Sequence, residues 1–213
     1  MLLTELREIV YLCNLELPKN GLVKMTSGNV SARDPKSGLV VIKPSGVRYE
    51  ELTPENMVVV DLQGRVVEGS LKPSTDTDTH LYVYRNRIDV FGMVHTHSPY
   101  ASTFAVLGQP IPACLTSSAM LGGEIPLGGY APIGGEEIGK EILAKIGRSF
   151  AIIMQNHGVF TIGSSAAHAT KMAVEVEEIA KITHLAMTRG APIRLSHEQI
   201  DYMVNLYQTV YGQ

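Results

Sequence analysis

Apolar residues Leu2, Leu3, Leu6, Ile9, Val10, Cys13 and Leu17 recur at steps of three and four, as on a helix with one buried face, until Pro18, Asn20 and Gly21 end the pattern. Short β-branched runs follow, and they predict strands at residues 29–33, 39–43 and 57–62. The breaks between them are Asp34-Pro35-Lys36-Ser37-Gly38 and Thr53-Pro54-Glu55-Asn56, where Thr53 suits a cap and Pro54 a first helical position. This half of the chain therefore reads as a meander and not as repeating βαβ units. Further on, the pattern predicts helices at 76–87, 99–107, 136–146 and 165–189, with strands at 90–96, 151–154 and 159–162. Ser196 and Gln199 form a capping-box start for a last helix running through Tyr211. The Gly- and Pro-rich stretch 122–135 keeps Ile125, Leu127, Tyr130 and Ile133, which favours an ordered loop or edge strand over a linker. No repeat or domain boundary interrupts the 213 residues, so a single domain over 1–213 is expected.

Composition narrows the function classes. With 45% hydrophobic and 18% charged residues the chain is ordinary globular material. Lys plus Arg number 18 against 21 Asp plus Glu, a formal charge of −3 without any run of one sign, which argues against nucleic acid or an anionic membrane as partner. No apolar stretch approaches the ~18 residues of a membrane span. Two distant cysteines, Cys13 and Cys114, and an opening MLLTELREIV without a basic segment and apolar core lead us to expect a reduced, cytoplasmic protein.

Chemistry concentrates in a few places. In Val94-His95-Thr96-His97 two histidines at spacing two leave one face of a strand with Cα atoms ~6.6 Å apart, close enough for two imidazoles to share a metal ion. His157, in Gln155-Asn156-His157-Gly158, is a third candidate, and three neutral imidazoles suit Zn²⁺ with an open coordination position. A chain with seven histidines can also produce such a pair by coincidence. Lys72-Pro73-Ser74-Thr75-Asp76 enters a helix, where free backbone N–H groups and hydroxyls can receive an anion, or where Ser74, Thr75 or Asp76 can simply cap. Thr26-Ser27-Gly28-Asn29-Val30-Ser31 and Ile42-Lys43-Pro44-Ser45-Gly46 are glycine-bearing turns that could cradle phosphate, though Ser, Gly and Asn serve any turn. The near-Walker run from Gly134 to Lys140 is rejected, because Glu141 stands where a Mg²⁺-binding hydroxyl is needed and Glu136 and Glu137 would repel a triphosphate. No Gly-x-Gly-x-x-Gly follows a strand, so a Rossmann cofactor has no support.

Taken in order, TSGNVSAR, VIKPSG, LTPENMVVVD, KPSTDTDTH, VHTHSPYAS and NHG resemble the class II aldolase/adducin family over nearly the whole chain. The resemblance implies an α/β fold, a three-layer α/β/α single domain with a mainly antiparallel central sheet. It also implies a cyclic homotetramer with active sites between subunits. His95, His97 and His157 match the family's zinc ligands, one Zn²⁺ per subunit, and Asp76 matches its catalytic carboxylate. Gly28, Asn29, Ser45, Gly46, Ser74 and Thr75 match positions that hold a substrate phosphate, and Tyr211 resembles a proton donor reaching a neighbouring subunit. The implied activity is cleavage of a ketose phosphate such as L-fuculose 1-phosphate to dihydroxyacetone phosphate and an aldehyde through a zinc-stabilised enediolate.

Members that act instead as sugar-phosphate 4-epimerases, of the L-ribulose 5-phosphate type, carry His-Ala-Asp after the Ile-Pro matching Ile111-Pro112. Here that segment reads Thr116-Ser117-Ser118-Ala119-Met120 and lacks the carboxylate, while Lys43 and Asp76 follow the epimerase pattern. Aromatics of the aldolase substrate site are replaced by Thr116 and Ile133, yet the C-terminal half is more similar to the aldolases. A non-catalytic, adducin-like interaction module is a further alternative, and a chain serving only for contact has no need to retain three histidines and Asp76.

Overall fold

The computed structural model describes residues 1–209. In chain order its elements are α1 (Thr4–Lys19), β1 (Asn29–Arg33), β2 (Val40–Ile42), β3 (Val58–Val60), β4 (Val66–Glu68), α2 (Thr77–Asn86), β5 (Gly92–Thr96) and α3 (Pro99–Leu107). β6 (Leu127–Gly128), α4 (Glu137–Lys145), β7 (Ala151–Met154), β8 (Val159–Gly163), α5 (Ala166–Met187) and α6 (His197–Thr209) complete it. The strands form one sheet in the order β4-β3-β2-β1-β5-β8-β7-β6. Every pairing is antiparallel except β6 with β7.

Strands VVI and VVV of β2 and β3 are buried throughout, because helices cover both faces of the sheet and neither face can be polar. Side chains alternate between two cores. Val40, Ile42, Met93, Ile152, Met154 and Phe160 meet Leu81 and Tyr84 of α2 and Ile138 and Ile142 of α4. Val30, Val41, Val59 and Val94 face α1 and the start of α5, while Ile153 and Val159 face Phe104 of α3 and Met172 and Val176 of α5. These are the three layers that the sequence led us to expect.

Three local outcomes differ from the pattern. α1 runs past Pro18 to Lys19, since a proline near the end of a helix loses one hydrogen bond without blocking the turn. β4 went unread because Val66 and Val67 are exposed on an edge, with no buried face to impose a period. Residues Thr116–Leu121 form 3₁₀ turns. The stretch 122–135 is ordered and supplies β6, the edge strand. Thr53 and Asn56 cap reciprocally around Pro54, as do Ser196 and Gln199 ahead of α6.

One buried cation ties the edges together. Arg7, 1% exposed, donates from Nε to Leu2 O at 2.9 Å, from Nη1 to the carbonyls of Glu55 and Met57, and from Nη2 to Glu68 at 2.8 Å. α1 is thereby pinned to β4 and to the turn before β3. Among the described residues both cysteines are free, and no helix is long and apolar enough to cross a membrane.

Candidate active site

β5 lies in the middle of the sheet with Asn29 of β1 opposite His95 on one side and Phe160 of β8 opposite it on the other. His95 and Met93 share a face by the two-residue period, the face of α2 and α4, and His97 follows one residue beyond the strand. His157 sits in the tight β7–β8 turn, which Asn156 makes possible at φ 57°. The three imidazoles meet with ring centroids 4.8, 4.8 and 5.5 Å apart, and one nitrogen from each lies within 4.8 Å of the others. Glycine permits this approach in two places. A Cβ on Gly158 would strike Thr96 O and stand 3.0 Å from His97, and one on Gly28, at φ +74°, would strike Val23 and stand 2.8 Å from His95 O.

The ring orientations are consistent with metal ligation. His95 Nδ1 donates to Val159 O at 3.0 Å, and since a carbonyl can only accept, the neutral ring presents its lone pair at Nε2. That nitrogen is 3.0 Å from His97 Nε2. Burial lowers the pKa of all three histidines and so favours neutral, ligating imidazoles. His157 Nδ1 is buried without a partner. Three converging neutral imidazoles with an unmet ring nitrogen fit a borderline-soft divalent ion.

A second set of groups arrives through the pairing of two loops. Ser45 N donates to Lys72 O at 2.9 Å and Ser74 N to Lys43 O at 3.0 Å, which sets the 43–46 turn against the entrance to α2. Gly28, Asn29, Ser45, Gly46, Ser74, Thr75, Asp76 and the three histidines consequently line one cavity of about 310 Å³. Tyr211 lies outside the described residues.

Asp76 occupies the position before α2 but makes no capping bond. Its Oδ2 instead accepts from Asn29 Nδ2 at 2.7 Å, and the same amide donates to Ser74 Oγ at 3.0 Å, leaving Asn29 Oδ1 buried and unpartnered. Burial pushes the Asp76 carboxyl up, but His95, His80 and the Asn29 amide outweigh it and hold the group below the usual carboxylate range. His80, one turn along α2, belongs to the scaffold. Its Nδ1 is 2.7 Å from Ser31 Oγ, which in turn is 2.8 Å from Tyr84 OH, and burial lowers its pKa to about 4.

Sequence reasoning left one important group out of the site. Lys43, quoted only as a family feature, is 1% exposed and lines the cavity. Its Nζ donates to Thr26 O at 3.1 Å, Val47 O at 3.0 Å and Pro44 O at 3.5 Å and lies 5.0 Å over the Tyr49 ring. Among the described residues no carboxylate pairs with it, and burial lowers its pKa to about 8. A lysine directly before Pro-Ser-Gly was the available signal. Ile133, read from the sequence as standing in place of a substrate-site aromatic, lines the cavity from the Gly-rich loop, whereas Thr116 is not among the lining residues.

Residues 7–184 match the family model described as Class II Aldolase and Adducin N-terminal domain. The chain belongs to the class II aldolase and adducin family. Among solved structures it is similar to an L-fuculose 1-phosphate aldolase at 30% identity, over 96% of each chain, with a TM-score of 0.89. An L-fuculose-1-phosphate aldolase from Thermus thermophilus is 27% identical over 88% of this chain and 98% of its own, with a TM-score of 0.74. YgbL from Klebsiella pneumoniae, an aldolase/epimerase/decarboxylase candidate, is 26% identical over 93% and 97%, with a TM-score of 0.84.

Proposed function

We propose that the protein is a metal-dependent lyase that cleaves a ketose phosphate, L-fuculose 1-phosphate or a near relative, into dihydroxyacetone phosphate and an aldehyde. The observation that carries this reading is the meeting, in one cavity, of a three-histidine cluster, a buried carboxylate and a cradle of anion donors. His95, His97 and His157 hold a divalent ion, with Zn²⁺ our choice from the donor set. When bound, the ion supplies Lewis-acid stabilisation of negative charge on the sugar oxygens.

Asn29, Ser45, Ser74 and Thr75, with the backbone at Gly28 and Gly46, hold the phosphate, and the unpaired Lys43 ammonium balances its charge. With the phosphate there, the carbon chain runs toward the histidines and past Asp76. As the carboxylate, Asp76 takes the proton from C3 in the condensation direction, and in cleavage, the reverse of that step, the carboxylic acid form gives its proton to C3 after the C3–C4 bond breaks and is left ionised. Tyr211 of a neighbouring subunit moves the proton at the aldehyde oxygen, a role that rests on the family resemblance. Shortening the chain before Tyr211 then lowers kcat and spares phosphate binding. A homotetramer with sites between subunits is supported by large apolar residues left exposed, among them Met25, Tyr130, Val106, Leu107 and Ile133, the last of which lines the cavity.

Epimerisation at C4 is the second reading, favoured by Asp76 and Lys43, and it needs an acid that residues 116–120 do not offer. The deciding experiment offers the metal-loaded protein a panel of ketose phosphates, following dihydroxyacetone phosphate release and, in parallel, epimer formation. We expect release from an L-configured ketose 1-phosphate. Epimer formation without release would replace the aldolase reading, and neither product from any member would return the chain to a non-catalytic role.

A further inference from the structure

The three histidines are not held alike. His95 is oriented by the Val159 carbonyl, whereas the only hydrogen-bond partner of the His97 ring among the described residues is His95 itself. His97 must therefore take its direction from its backbone, which lies between the end of β5 and the start of α3.

That start is closed in an unusual way. Ser98, at the N-cap position, turns its hydroxyl to Thr96 Oγ1 at 2.8 Å and makes no capping bond. Pro99 has no N–H, and Ser102 N reaches Ser98 O at 2.9 Å, so Tyr100 and Ala101 are the donors without a local partner. Both are satisfied from α5: Glu177 Oε1 accepts from Tyr100 N at 2.9 Å and Oε2 from Ala101 N at 3.0 Å. The carboxylate also meets the positive end of the helix dipole. Glu177 is half-buried, and burial raises its carboxyl against the lowering effect of the two N–H groups that it accepts from.

We propose that Glu177 is a positioning residue for the metal site: by closing the first turn of α3 from α5, it fixes the backbone at 97–99 and with it the aim of the His97 imidazole. The inference rests on the reading of the three histidines as metal ligands.

Co²⁺ serves as the probe, because its visible absorption reports ligand geometry independently of turnover. Wild type, Glu177→Gln and Lys181→Ala are titrated with Co²⁺ against a competing chelator, and each apoprotein is melted. Lys181 lies over the Tyr100 ring, 5.9 Å from its centroid, on the same α3–α5 seam, and its charge acts on Glu177 without touching the two N–H groups, so Lys181→Ala separates a change of charge at the seam from loss of the cap. Removing a partner that orients a ligand typically weakens metal binding 10–100-fold, and we expect on the order of 10-fold for Glu177→Gln, with an altered Co²⁺ spectrum. Lys181→Ala should match wild type in both. If Glu177→Gln does not fold, Glu177→Asp, which keeps charge and both acceptors on a shorter arm, should show a smaller loss of the same kind. A Glu177 variant that melts earlier yet binds Co²⁺ with wild-type affinity and spectrum overturns the proposal and leaves Glu177 a helix cap only. Failure of wild type to bind Co²⁺ at all would instead remove the metal reading itself, and this inference with it.

Discussion

Arg7 and Lys43 are both cations withdrawn from water, each 1% exposed, and they sit in opposite kinds of surroundings. Arg7 is closed off: three carbonyls and the Glu68 carboxylate take up its donors, and it joins α1 to the sheet edge. Lys43 has only neutral carbonyl partners and no carboxylate, and it faces the cavity, where Asn29 Oδ1 and His157 Nδ1 are unpartnered. Burying an uncompensated charge is costly, which is the ground for reading Lys43 as an anion partner in the proposed function. Between these two cations, a carboxylate partner marks the architectural one, and the one without a counter-charge faces the cavity.

The largest effect that could break this contrast lies at the histidines. Replacing His95, His97 or His157 by Ala should remove bound metal and activity together, as followed by elemental analysis and the cleavage assay. Full metal content after two of the three are changed would refute the site.

Next in size is Asp76→Asn, expected to lower kcat by ~10²–10⁴ while KM stays within a few-fold, since general acid–base work is worth about that much. Near-normal kcat would return Asp76 to a structural role, although its side chain caps nothing.

The two cations can then be set directly against each other. Arg7→Met should cost about 3 kcal/mol in chemical denaturation, because buried carbonyls and Glu68 lose their partner, and should leave KM alone. Lys43→Met should raise KM for the phosphorylated sugar ~10-fold or more, the scale of a lost charge-assisted contact, with a smaller loss of stability than Arg7→Met, because relief of an uncompensated buried charge offsets the carbonyls that lose a donor. An equal loss of stability in both variants would erase the distinction.

The smallest effect is in pH. Lys43 has a folded pKa of about 8, below the 10.5 of a free lysine. The unfolded chain therefore binds more protons between those values, and Lys43 makes folding more favourable as pH rises through that window. Phosphate affinity runs the other way, because the ammonium is lost, so KM should climb as pH passes 8. In Lys43→Arg, whose cation does not titrate there, this limb should vanish from the KM–pH profile.

Much of this was legible along the chain because it depends on near neighbours. The α3 span was read to the residue from Pro99 and its apolar spacing, and β1 and β7 from short β-branched or apolar runs between turn residues. The His-x-His pair declared a shared face because strand side chains alternate. Signals tied to a buried face failed where there was none, as at exposed β4. Lys43 was passed over because its sequence context shows neither its burial nor the want of a counter-ion.

The sequence by itself determined helices α1 to α6 and the buried strands β1, β2, β3, β5, β7 and β8, and it nominated the residues with metal-binding and anion-binding chemistry. Residue type and spacing carry that much, through periodic burial and local capping. Tertiary structure alone decided that the turns at 26–29, 43–46, 74–76, 95–97 and 157 open on one cavity. Their closeness follows from strand order β2-β1-β5-β8 and from the bridge between Pro44 and Pro73, pairings across long stretches of chain that no local propensity encodes. The same long-range packing made Asp76 a partner of Asn29 instead of a cap, and supplied α3 with a cap from Glu177, 77 residues beyond Tyr100.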